Sequence, residues 1–131
     1  MRSSRVTAVM CAAVALTAVA AASLSAHHNM RAAFDLNTRL TRTGTLTRIE
    51  WFNPHIHLFV DTQDDQGQAE RWSFEGPAPG RLQANRPAIE ASVGRSITVE
   101  ASPARSGDRS GLIRELRLAE GQVIGLCPQN C

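Results

Sequence analysis

The stretch Trp51-Phe52-Asn53-Pro54-His55-Ile56-His57-Leu58-Phe59-Val60-Asp61 constrains what this chain can fold into more than any other. Asn53-Pro54 marks a turn, because proline fixes its own φ and biases the residue before it away from helix. The residues that follow alternate in the manner of a half-buried strand. Ile56, Leu58 and Val60 share one face. His55, His57 and Phe59 share the other, which puts the two imidazoles about 6.6 Å apart at the usual strand rise. Two rings at that spacing can close on a single metal ion.

Around this stretch the other strands fall into place. From Gly44 to Trp51, threonines and β-branched residues alternate so that Thr45, Thr47, Ile49 and Trp51 share a face, which predicts a first strand paired with the next as a hairpin. Gln63 to Gly67 is a polar loop ending in glycine, and alternation resumes from Glu70 to Glu75 with Trp72 and Phe74 on one side. Residues 76–94 carry Pro77, Pro79, Gly80 and Pro87 and have room only for one or two short helical turns. Ser96 to Ala101 and Leu112 to Leu118 predict two more strands, followed by a short apolar segment, Gln122 to Leu126. The expected fold is mainly all-β: a small five- to six-stranded OB-like (oligonucleotide/oligosaccharide-binding-type) barrel with a short helical connection. A barrel is favoured over an open sheet because it leaves no edge to protect.

The first residues stand apart from this pattern. Arg2 and Arg5 precede an uncharged, alanine-rich apolar run from Val6 to Ala22, and small residues lead on to Ala26. That is the form of a secretory signal peptide, which predicts cleavage and a periplasmic location. The run is barely long enough to span a bilayer and no basic stop-transfer flank follows it, so no stable membrane anchor is expected after cleavage. Cys11 lacks the small-residue motif that precedes a lipoprotein cysteine. The expected divisions are a signal peptide over 1–26, an extended N-terminal arm over 27–43 whose Phe34 docks on the core, a barrel domain over 44–126 and a cysteine-containing tail over 127–131. All 14 basic residues are arginine, and with Arg2 and Arg5 removed the rest balance the 12 acidic residues. A chain without basic excess is not expected to bind nucleic acid or an anionic membrane.

The 4 histidines fall into two pairs, His27-His28 and His55-x-His57. Cleavage after Ala26 would leave His27 at the terminus, where its α-amine and ring chelate together. Cleavage after Ser25 would make His28 the third residue, an arrangement suited to square-planar Cu(II) or Ni(II). Imidazole donors without a thiolate or carboxylate cluster favour copper first, then zinc or nickel. The leading expectation is therefore a non-enzymatic copper-binding barrel using His27, His28, His55 and His57. One alternative is a small periplasmic interaction module, with a protein partner on the barrel face around Trp51 and Phe59 and with histidines that only face water. A zinc hydrolase is the remaining alternative, but the sequence contains no identifiable general base. Cys127 and Cys131 are expected to form a disulfide in an oxidising compartment.

Several of these residues also carry a resemblance. The export signal, Ala26-His27-His28, Phe34, Gly44 at a strand start, Trp51-Phe52-Asn53-Pro54-His55, Trp72-Ser73-Phe74-Glu75 and Gly94-x-x-Ile97-x-Val99 occur together and in order. Together they resemble the small exported bacterial proteins of domain-of-unknown-function family 6152. The resemblance implies a periplasmic small β protein without an established biochemical role. Asn29 departs from it where a serine commonly follows the paired histidines. His57 and the Cys127/Cys131 tail are particular to this chain, so His27, His28 and His55 are the better candidates for any metal site the family shares.

Overall fold

The structure, a computed structural model, describes residues 30–126. The expected signal peptide, His27, His28, Cys127 and Cys131 lie outside the described residues. The chain divides into two compact units, Met1–Ala33 and Phe34–Cys131. Of the first, residues 30–33 are described and form a helical turn, where the sequence predicted an extended arm.

The second unit is a closed barrel. Its elements in chain order are β1 (Leu40–Trp51), β2 (Ile56–Gln63), β3 (Ala69–Glu75), a 3-10 turn (Pro79–Leu82), α1 (Arg86–Ala91), β4 (Ser96–Pro103), β5 (Ser110–Arg117) and β6 (Val123–Gly125). Strands β1, β2 and β3 form an antiparallel meander, and β1 also pairs with β4, which pairs with β5. A short parallel ladder, Ser73–Glu75 against Ser110–Leu112, joins β3 to β5 and closes the circle. β6 is an extra strand folded back on β5. This is the OB-like barrel that the sequence predicted, with the helical connection between β3 and β4.

Alternation explains which faces are buried. Ile56, Leu58 and Val60 on β2 and Phe74 on β3 have no exposed surface, and Trp72 stacks on Phe74 at 5.8 Å between ring centroids. Leu82 and Ile89 join the same core from the connection, so two short helical segments suffice to fill what the strands leave open. Phe34 is buried and bridges to Ala104.

β1 departs from the predicted pattern in two ways. It begins at Leu40, within the expected arm, because Leu40 to Thr45 pair with Ala101 to Ser96. It also carries an irregularity between Leu46 and Arg48, where one extra residue interrupts the pairing with β2. Such a bulge reverses which residues face inward. Leu46 faces the core before it and Ile49 and Trp51 pair with Leu58 and Ile56 after it, so Thr45, Thr47, Ile49 and Trp51 do not share a face. The strand passes from β4 to β2 at Gly44, where a Cβ would lie 2.2 Å from the Asp61 carbonyl oxygen. Only glycine permits that approach.

Candidate functional site

The β1–β2 hairpin turns through Phe52 to His55, with a cis peptide between Asn53 and Pro54. Because Ile56 is locked into the core, His57 and Phe59 must project outward, and both are half-buried on the barrel surface. His55 precedes the strand. Its Nδ1 lies 2.5 Å from Glu75 Oε1, and its side chain is 36% exposed. Two lone pairs would repel at that separation, so Nδ1 carries a proton and, in the neutral ring, Nε2 carries the lone pair.

Glu75 reaches His55 from the end of β3. It is also the register partner of His57 on one side, while Glu50 of β1 is the partner on the other. The structure therefore sets His55 against the Glu75 carboxylate and His57 beside Glu75 in the strand register. Glu50 is drawn away by the guanidinium of Arg48, which forms an ion pair with it. The sequence reading missed both glutamates. A signal for Glu75 was nevertheless present: a β2–β3 hairpin centred on Gln66, within the predicted loop, sets His57 opposite Glu75. Among the described residues no three His, Cys, Asp or Glu side chains are grouped so as to hold a metal ion. Of the two histidines at the hairpin, His55 has a carboxylate against its ring.

The two aromatic residues predicted for one binding face lie on opposite sides of the β1–β2 ribbon. Trp51 pairs with Ile56 on the core-facing side and is covered by the Arg86 guanidinium, 4.8 Å from its ring centroid. Phe59 faces out beneath the Arg48 guanidinium at 3.9 Å. It lines a cleft of about 220 Å³ with Thr47, Arg48 and Arg71. Arg71 is held there by a bidentate pair of hydrogen bonds to Asp61, of 2.6 and 2.9 Å. That pairing depresses the Asp61 carboxyl below its ordinary value and raises that of Arg71. Phe52, at the hairpin tip, is 67% exposed and was not singled out as a contact residue from sequence.

No curated protein and no solved structure matches the chain. One family model does: it matches residues 13–115, the greater part of the chain, and by that match the protein belongs to the family of unknown function DUF6152.

Proposed function

We propose that this is an exported, non-enzymatic barrel of the periplasm that handles a transition-metal ion, copper in the first place. His55 and His57 are the donors the hairpin presents, and His27-His28 form a second chelating pair ahead of the barrel. The observation that carries this reading is the contact between His55 Nδ1 and Glu75. A carboxylate on one ring nitrogen fixes the tautomer, orients the ring and strengthens the other nitrogen as a metal donor, which is the usual support behind a ligating histidine. Imidazole donors suit copper, nickel and zinc, and copper stands highest in intrinsic affinity. A seat that leaves most coordination positions to water or to a partner's groups suits exchange of the ion better than its permanent storage.

The test is a Cu(II) titration at fixed pH of wild type, His55→Ala, His57→Ala and the double variant His27→Ala/His28→Ala. Loss of affinity in the His55 variant beyond that of a single exposed donor supports the reading. Equal affinities in wild type and both hairpin variants would confine copper to the terminal pair. In that event an interaction module, with hairpin histidines that only face water, becomes the better account. The exposure of Phe52 and the Phe59 cleft favour that second reading, with a protein partner at the hairpin.

A further inference from the structure

The bulge in β1 aims an arginine at the outer face of the barrel. Leu46 is buried on the inner face, and in a regular strand Arg48, two residues on, would face inward with it. The extra residue, Thr47, turns Arg48 outward instead, opposite Phe59 of β2. The Thr47 hydroxyl donates to the Phe59 carbonyl oxygen at 3.1 Å, which ties the bulge to the neighbouring strand. Arg48 then lies with its guanidinium 3.9 Å from the Phe59 ring centroid. On the other side of β2, Phe59 stands opposite Ser73 of β3, a small residue, and Arg71, two residues before it, shares the outer face. A bulge that re-aims a side chain recurs beside functional sites.

Thr47, Arg48, Phe59 and Arg71 together line the cleft of about 220 Å³. Both of its guanidiniums are anchored by carboxylates that stand outside it. Arg71 donates from Nε and Nη2 to Asp61 at 2.6 and 2.9 Å, and Arg48 donates from Nη1 to Glu50. Among the described residues the lining itself holds two guanidiniums and no carboxylate. A guanidinium has five N–H donors in a planar fork, so these pairings leave others over. Arg71 Nη1 and Arg48 Nε and Nη2 have no hydrogen-bond partner among the described residues. Arginines already held in place lose less freedom when a ligand arrives.

We infer that this cleft binds a small aromatic carboxylate, with its acid group on the remaining donors of Arg48 and Arg71 and its ring against Phe59 and the plane of the Arg48 guanidinium. The planar fork of arginine matches a carboxylate and its face stacks on aromatic rings, so one lining serves both halves of such a molecule. An inorganic oxyanion is the poorer match, because it would leave the Phe59 ring without a partner from the ligand. The volume lies below the roughly 300–1,000 Å³ of sites for drug-sized molecules, which suits a single ring with a single acid group. The inference does not rest on the metal reading, since none of the four lining residues is a histidine.

Backbone-amide NMR on the full chain in metal-free buffer tests this with benzoate as the probe. Benzyl alcohol, which lacks the charge, and acetate, which lacks the ring, are its counterparts. Saturable shifts confined to residues 47–49, 58–60 and 71–73 are expected with benzoate, in the millimolar range proper to so small a ligand. Arg48→Gln and Arg71→Gln should each weaken benzoate binding about two- to fivefold, the worth of one exposed charge pair. Arg95→Gln removes the same charge outside the cleft and should leave it unchanged. Phe59→Leu keeps an apolar side chain without the ring and should weaken benzoate about two- to tenfold while leaving acetate unaffected. Absence of saturable shifts, equal binding of benzyl alcohol or acetate, affinities untouched by both cleft arginine substitutions, or an equal loss in Arg95→Gln would each overturn the inference.

Discussion

Glu75 holds His55 Nδ1 at 2.5 Å from the end of β3 while standing opposite His57 in the β2–β3 register. One carboxylate thus contacts His55 and stands in register with His57, and its own position is set by Phe74, the neighbouring residue buried in the core.

From this relationship follows the first prediction. Glu75→Gln keeps the size of the side chain but removes the charge behind His55, and losses of about tenfold or more in metal affinity are usual for such supports. Stability should change by no more than about 0.5 kcal/mol, because the pair is partly exposed. Calorimetric titration with Cu(II) and a parallel thermal melt separate the two effects. An unchanged affinity would remove Glu75 from the site.

Gly44 supplies a second prediction. A methyl group there would meet the Asp61 carbonyl at 2.2 Å and Thr62 Cγ2 at 2.9 Å, so the strand crossing must open. Gly44→Ala should destabilise the barrel by about 2 kcal/mol or more. Gly80→Ala, with nothing within 4 Å of the added carbon, is the matched control and should leave stability unchanged or slightly raised. Urea midpoints of the two variants give the comparison, and equal midpoints would contradict the close approach.

The unpaired hydroxyl of Thr62 predicts the unusual result of a stabilising polar-to-apolar change. Thr62→Val removes a buried group that has no partner among the described residues and should raise stability by about 1 kcal/mol. Denaturant unfolding measures it. A loss of stability would mean that the hydroxyl has a partner in solution, such as a bound water.

Acid should weaken the fold through two carboxylates. Hydrogen bonds from Arg71 hold the Asp61 carboxyl below its ordinary value of 3.8. Those from the Thr38 hydroxyl and the Asn37 amide do the same for Asp35. With the folded values lower than the unfolded ones, their stabilising contribution is present above the unfolded value and is lost as pH falls through the folded values. Carboxyl titration by NMR should give midpoints below 3.8 for both, and Asp61→Asn should reduce the acid sensitivity of unfolding. Midpoints at or above that value would contradict the pairing.

Much of the architecture was legible in the residues. Alternation at Ile56, Leu58 and Val60 and at Trp72 and Phe74 is a local property, because a strand shows its two faces with a period of two whatever it packs against. Asn53-Pro54 and the glycine-ended loop at 63–67 located the two turns for similar local reasons. The outward placement of His57 and Phe59 followed from the same periodicity. The course of β1 was harder to read, since a bulge at Thr47 depends on how the strand must bend between two neighbours, and that bend has no local signature.

The sequence by itself therefore determined the strands, their turns and the outward direction of the hairpin histidine on β2. Tertiary structure decided the rest. Registry across β2 and β3 chose Glu75 as the partner of His55, the crossing of β1 from β4 to β2 required Gly44, and closure through three residue pairs of β3 and β5 gathered Arg42, Thr62 and Glu70 at one mouth. Each of these joins residues far apart in the chain, so each is set by the closed barrel as a whole rather than by any segment's own preference.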